Sequence, residues 1–170
     1  MELNNTNGRK AFPPLAWEDS ELLILGTIPS SSSIEKGQYY YHYANYIWDY
    51  LAKIFGAARP KSWPEKKAFL QVNHIDLWDM YAYSETTGSL DNGLGEFNDI
   101  AGFLERHSTI TKVFLNGRKA SQAFCQYKKA GHYLSDSIKV YDLPSTSGAN
   151  TCIPREKALS EWKLACLDLA

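Results

Sequence analysis

The amino-acid sequence predicts an α/β fold, a three-layer α/β/α sandwich around a central four-stranded, mostly parallel sheet. Two observations carry the prediction. Short apolar segments such as Leu22-Leu23-Ile24-Leu25 and Val113-Phe114-Leu115 run without a polar break, the pattern of strands covered on both faces. Between the strand-like segments, apolar residues recur at helical spacing, so strand and helix alternate as they do when parallel strands are joined by crossover helices.

The elements follow in order. Leu22 to Leu25, stopped by Gly26, is the first central strand. A long loop rich in serine and tyrosine comes next, in which Ser30 to Ser33 read as a solvated turn. Ile47, Trp48, Leu51, Ile54 and Phe55 then mark a helix closed by Gly56, with Asn45 at its mouth. Ser62 and Glu65 form a capping-box pattern and Pro64 suits an early helical position, which gives a helix over Pro64 to Val72. His74 to Asp79 reads as the second strand. Phe97, Ile100, Ala101 and Leu104 fall at i, i+3, i+4 and i+7 and place a helix ahead of the third strand, Val113 to Leu115, which ends at Asn116-Gly117. Ala120, Ala123, Phe124 and Tyr127 repeat the stripe up to Gly131, and Ile138 to Tyr141 alternates as a fourth strand that breaks at Pro144. Pro154 opens a last helix carrying Ala158, Leu159, Trp162 and Cys166 on one face. Without repeats or a linker, residues 1–170 are expected to form a single domain.

Composition narrows the function classes. A chain of 170 residues, 44% hydrophobic and 22% charged, suits a globular domain with a full core and not a fibre, a coiled coil or a disordered tail. Its net charge of −1 means that any attraction to nucleic acid comes from a local patch. The three cysteines, Cys125, Cys152 and Cys166, are odd in number and scattered, which fits buried thiols in a reducing compartment. No apolar run approaches the ~20 residues of a membrane helix, and the polar start, Met1 to Asn5, has no signal-peptide pattern. The expectation is a cytoplasmic protein with no membrane partner.

In open α/β sheets ligands bind beyond the carboxyl ends of the strands. Those positions here are Gly26-Thr27-Ile28-Pro29, Asp79, Asn116-Gly117 and Pro144-Ser145-Thr146-Ser147, loops whose backbone N–H groups and small hydroxyls suit a phosphate or a planar polar ligand. Familiar templates are missing. The sequence has no GxxxxGK[ST] phosphate loop, no GxGxxG turn and no GxSxG elbow. His42, His74, His107 and His132 lack the spacing of a helical zinc pair, so no metal or cofactor is expected. Ser30 to Ser33 with His42 as base leave a serine hydrolase as one alternative.

Three separated motifs carry a resemblance. Leu25-Gly26-Thr27-Ile28-Pro29-Ser30, then Gln38 to Trp48, then Leu143-Pro144-Ser145-Thr146-Ser147-Gly148-Ala149-Asn150 resemble the uracil-DNA glycosylase superfamily, and within it the hypoxanthine (deoxyinosine) DNA glycosylase branch. The likeness extends to Phe12-Pro13-Pro14, Leu77-Trp78-Asp79, Gly88-Ser89-Leu90-Asp91 and Phe114 to Gly117, nearly the whole chain. Two positions depart from that branch, which usually has proline where this chain has Tyr43 and Gly148.

The resemblance implies a uracil-DNA glycosylase-like fold and a monofunctional DNA glycosylase of base excision repair, a monomer acting on DNA that contains a damaged or mispaired base. Hypoxanthine, with uracil or xanthine, would be flipped into a pocket and released by hydrolysis, deaminated bases costing least to unstack. It maps the catalytic asparagine onto Asn45 and a third-strand assistant onto Asn116. Gly26, Thr27, Ile28, Tyr40, His42 and Asp79 would form the base pocket, with Tyr40 the leading candidate to stack on the base. Ser145, Thr146 and Ser147 would hold DNA phosphates, with Arg118, Lys119, Arg155 and Lys157 supplying local positive charge. An amide does not titrate near neutrality, so Asn45 would position water and stabilise charge on a dissociative route. Spacing alone equally makes Asn45 a helix N-cap and Asn116 a turn residue. An ionised Asp79 would repel a departing anionic base, which leaves it as an acceptor for a base N–H or a structural residue. The remaining alternative is a binding module of this fold that has lost catalysis.

Overall fold

A computed structural model describes residues 8–87 and 90–168. The polar start of the chain and Gly88-Ser89 of the quoted motif lie outside the described residues. In chain order the elements are β1 (Gly8–Lys10), β2 (Leu22–Gly26), α1 (Ser31–Lys36), α2 (Ile47–Ile54), α3 (Trp63–Val72), β3 (Ile75–Asp79), β4 (Tyr81–Thr87), β5 (Leu90–Phe97), α4 (Ile100–Arg106), β6 (Lys112–Asn116), α5 (Arg118–Lys129), β7 (Lys139–Leu143) and α6 (Arg155–Cys166).

The four anticipated strands form one sheet in the order β3-β2-β6-β7, and all three pairings are parallel. Side chains of the central strand alternate between faces, so a continuous apolar run feeds two cores at once. Leu23 and Leu25 pack with Phe103 and Leu104 of α4 and Phe124 and Tyr127 of α5. Leu22 and Ile24 face the other way, against Trp48 and Leu51 of α2, Leu70 of α3 and Trp162 of α6. Helices therefore cover both faces of the sheet, as the sequence predicts.

Local chemistry sets the helix ends. Ser62 accepts from Glu65 N–H, and Glu65 Oε2 accepts from Ser62 N–H, completing the anticipated capping box of α3. Beyond α2, Gly56 takes a left-handed φ of 64° and Ala57 N–H reaches back to Ala52 O at 2.9 Å, the backbone pattern of a Schellman stop.

Three features differ from the sequence expectation. A second, antiparallel sheet forms in the order β1-β4-β5. Phe97 ends β5 rather than opening a helix; it stacks on Tyr81 with ring centroids 4.9 Å apart, and α4 begins after Asp99, whose side chain accepts from Gly102 N–H. The serine run is not a turn. Ser30 Oγ accepts from Ser33 N–H and caps α1, which ends at Gly37 in a left-handed conformation. No helix among the described residues is long and apolar enough to cross a membrane.

Candidate active site

The carboxyl ends of β2, β3 and β6, the turn before α2 and the loop after β7 enclose a cavity of about 420 Å³. Its walls include Gly26, Thr27, Ile28, Tyr40, His42, Asn45, Asp79, Asn116, Ser145, Thr146 and Ser147, so the anticipated catalytic, base-pocket and Ser-Thr-Ser residues lie at one place, whereas the anticipated Arg155 and Lys157 line neither this cavity nor the groove beside it. A wider groove adjoins it, lined by Arg118, Lys119 and Lys128 and sharing Asn116, Ser145 and Ser147.

Gly26 is the last residue of β2, and a side chain there would collide with two other residues of the cavity wall. A Cβ would stand 2.6 Å from Asp79 Oδ1 and 3.2 Å from Tyr40 Oη. Tyr40 itself adopts a φ of 50°, unusual for a non-glycine residue, and is held there by Trp48 Nε1, which donates to Tyr40 O at 3.1 Å. Its neighbour Tyr39 is a buried core residue whose hydroxyl donates to Pro13 O at 3.0 Å. Tyr41 and Tyr43 point outward, Tyr43 being 86% exposed.

Two buried polar atoms, Tyr40 Oη and Asp79 Oδ2, have no hydrogen-bond partner among the described residues. Such groups cost ~1–3 kcal/mol each when left unsatisfied, and here they border a cavity. Asp79 is only 4% exposed, and burial pushes its carboxyl up to about 7, because low dielectric disfavours the charged form. Tyr40 is held above the ordinary phenol range, first by burial and then by the neighbouring Asp79, while the Asn116 side chain nearby pulls it the other way. The conflict between an anionic Asp79 and an anionic leaving base therefore recedes, since near neutrality a large fraction of Asp79 is uncharged.

Asn45 stands just before α2. Its Oδ1 accepts from Ile47 N–H at 3.1 Å and from Thr146 Oγ1 at 2.8 Å. A backbone N–H can only donate, so the oxygen is on that side, and among the described residues no hydrogen bond engages Nδ2. Tyr46, not Asn45, occupies the N-cap position of α2; the Asn45 oxygen instead closes an Asx-type turn onto Ile47 N–H, and the residue lines the cavity. Asn116 ends β6 and exchanges two 3.0 Å hydrogen bonds with Thr146, Nδ2 donating to Oγ1 and Oδ1 accepting from Thr146 N–H.

Thr146 corrects one expectation. It is 0% exposed and its hydroxyl is engaged by two asparagines, so it is not presented to a phosphate. Ser145 and Ser147 remain accessible at the rim, where Ser145 Oγ accepts from Ser147 N–H at 3.2 Å. The segment 145–148 lies against 44–46 through an Asn45–Ser147 bridge and a 2.8 Å bond from Tyr46 N–H to Thr146 O. Gly148 permits this approach, because a Cβ there would lie 2.4 Å from Ala44 O. The two departures from the resemblance thus sit on contacting loops.

The serine-hydrolase constellation does not assemble. His42 Nδ1 accepts from Ala44 N–H at 3.2 Å and its ring stacks on Tyr43, while Ser30 Oγ donates to Ser33 Oγ and Ser33 Oγ accepts from Tyr41 N–H. Among the described residues no hydrogen bond joins these serines to His42. Arg118, Lys119, Arg155 and Lys157 are all exposed; the Arg155 guanidinium lies 3.9 Å from the Tyr46 ring centroid.

No family model matches the chain. A hypoxanthine DNA glycosylase of Methanosarcina acetivorans is 34% identical over 158 residues, covering 91% of this chain and 96% of that protein. The chain belongs to the hypoxanthine DNA glycosylase family. A second hypoxanthine DNA glycosylase, from Methanosarcina barkeri, is 30% identical over 145 residues, 84% of this chain and 88% of that protein. The solution NMR structure of a uracil DNA glycosylase-like protein from Methanosarcina acetivorans superposes with a TM-score of 0.80 at 31% identity, over 95% of this chain and 98% of the other. Fold and enzyme class are those the motifs anticipate, an α/β/α sandwich and a DNA glycosylase.

Proposed function

We propose that this DNA glycosylase excises hypoxanthine from DNA by metal-free hydrolysis, with uracil and xanthine as further substrates that share the same N–H/C=O edge. The observation that supports this reading most is the pair of unpartnered buried groups, Tyr40 Oη and Asp79 Oδ2, on the wall of the cavity that also holds Asn45. A neutral carboxyl offers one donor and one acceptor side by side, the complement of the adjacent O6 and N1–H of hypoxanthine. The names of the two archaeal relatives point to the same base.

The reaction breaks the bond between the sugar C1′ and the base nitrogen, the electron pair leaving with the base. Negative charge spreads to O6, where the Asp79 carboxyl O–H and the Tyr40 hydroxyl stabilise it as preorganised donors; loss of one such donor typically costs ~10²–10³ in rate. Water adds to C1′ from the Asn45 side. Asn45 Nδ2 donates to one lone pair of that water and fixes its approach while the other forms the new C–O bond, and the proton that the added water sheds passes to the departed base anion, leaving neutral hypoxanthine and a C1′ hydroxyl. Ser145 and Ser147 hold the backbone of the flipped nucleotide, and Arg118 and Lys119 in the adjoining groove supply the attraction that the net charge of −1 does not. The protein acts as a monomer, a single domain, in the cytoplasm, whose reducing conditions suit three free cysteines.

The test is a base-release assay on duplexes carrying one deoxyinosine, deoxyuridine or deoxyxanthosine, each followed by alkaline cleavage. Asn45→Ala is expected to lose most turnover at deoxyinosine with DNA binding retained. Wild-type turnover in that variant removes Asn45 from the mechanism, and cleavage by the wild type at deoxyuridine alone reassigns the substrate.

A further inference from the structure

The Ser-Thr-Ser segment after β7 presents its outer two residues at the rim and buries the middle one. Thr146 is completely buried, and every polar atom it carries is engaged: N–H donates to Asn116 Oδ1 at 3.0 Å, C=O accepts from Tyr46 N–H at 2.8 Å, and Oγ1 contacts both Asn45 Oδ1 and Asn116 Nδ2. The direction of the chain of bonds is determined from both ends. Ile47 N–H makes Asn45 Oδ1 an acceptor, so the single Thr146 hydroxyl proton goes to Asn45. Thr146 N–H makes Asn116 Oδ1 an acceptor, so Asn116 Nδ2 is the group that donates to the hydroxyl. Donation therefore runs Asn116 to Thr146 to Asn45, with no alternative arrangement of the amides that satisfies both backbone donors.

We propose that Thr146 is the positioning residue of the active site: its hydroxyl locks the amide plane of Asn45 against that of Asn116, so that Asn45 Nδ2 faces the reacting water. Without this hydroxyl, Asn45 keeps only the Ile47 contact on its oxygen and its amide can swing about that bond. The Asn45 amide ahead of α2 and the Asn116 amide at the end of β6 are otherwise carried by separate elements; Thr146, from the loop after β7, is what joins them. This inference rests on the assignment of Asn45 as the catalytic asparagine.

The experiment compares single-turnover excision at saturating enzyme, DNA affinity and thermal melting for Thr146→Val, Thr146→Ser and Asn45→Ala on a deoxyinosine duplex. The valine variant keeps the shape and removes the hydroxyl. It is expected to excise about 10²-fold more slowly, the usual consequence of a misplaced reacting group, with DNA affinity unchanged, while Thr146→Ser regains most of the rate. A folded Thr146→Val protein with the wild-type rate overturns the inference, as does a serine variant as slow as valine. Weaker DNA binding with an undiminished rate at saturation assigns Thr146 to strand contact and also overturns it. Should valine prevent folding, Thr146→Cys replaces it, since a thiol is a weak donor in similar space; a wild-type rate there refutes the proposal. Asn45→Ala separates the two failures: full turnover in that variant overturns the catalytic assignment itself, whereas its loss together with an active Thr146→Val overturns only the positioning role.

Discussion

Asp79 makes the fold sensitive to pH in a direction opposite to most carboxylates. Its folded-state titration lies at about 7 against an ordinary 3.8, because burial disfavours the anion. Between those two values the unfolded chain loses the proton and the folded chain keeps it, so wild-type stability declines as pH rises through this window. At 1.36 kcal/mol for each tenfold change in proton concentration, the full span corresponds to about 4 kcal/mol. Asp79→Asn removes the ionisation and keeps a similar shape. Urea denaturation of both proteins from pH 4 to pH 8 isolates the effect, because other titrating groups cancel in the difference. Relative to wild type, the variant should gain about 4 kcal/mol between the two ends of the range, most of it before pH 7. A difference that stays constant over that range would refute the argument that Asp79 is held neutral by burial. The same protonation has a catalytic signature, since the wild-type excision rate at saturation should fall as pH rises past about 7 as the acid that stabilises the leaving base is lost.

Gly148→Ala brings a Cβ within 2.4 Å of Ala44 O; the expected outcome is a loss of about 1–3 kcal/mol in chemical denaturation and slower excision, because Asn45 follows Ala44. Unchanged excision in a destabilised protein would confine Gly148 to a packing role. Ser62→Ala breaks the α3 capping box, far from the cavity, and should cost about 1 kcal/mol of stability with an unaltered excision rate; a slowed rate would show that α3 reaches the site.

The principal sheet was legible because β2 and the middle of β6 are buried on both faces, which writes itself as a continuous apolar run, while β7, largely uncovered, showed instead as alternation over Ile138 to Tyr141. The antiparallel sheet was not. Its segments Tyr81–Thr87 and Leu90–Phe97 hold Ser, Thr, Gly, Asn, Asp and Glu with little apolar alternation; they pair with each other, and the first of them also with Gly8–Lys10, through backbone bonds that leave no sequence period. Phe97 fell at helical spacing only because a strand residue and a helix face meet the same core. At the site, the strand-end positions pointed to Asp79 and Asn116 and the resemblance to Asn45, whereas the burial of Thr146 was hidden by two serines of like chemistry. A signal was available: an extended chain alternates its faces, and in Ser-Thr-Ser the middle residue points opposite to its neighbours. The protonation of Asp79 had no signature in the sequence, since it arises from enclosure by residues as distant as Tyr40 and Asn116.

The strand that carries Thr146 toward the asparagines is the outermost of its sheet. β7 hydrogen-bonds to β6 on one side, its residues from Lys139 to Asp142 are largely uncovered, and a contact of Lys139 and Tyr141 with Asp168 beyond α6 fastens it from outside. At the opposite edge, β3 is flanked by Leu15, paired with Leu77. Segments with few buried contacts open at the lowest free energy, and opening β7 would part Thr146 from Asn45 and lift Leu143 and Tyr141 from the layer they share with Trp162. The margin of the sheet and the centre of the proposed chemistry are thus one structural unit: the edge strand leads directly into the residue that ties Asn45 to Asn116.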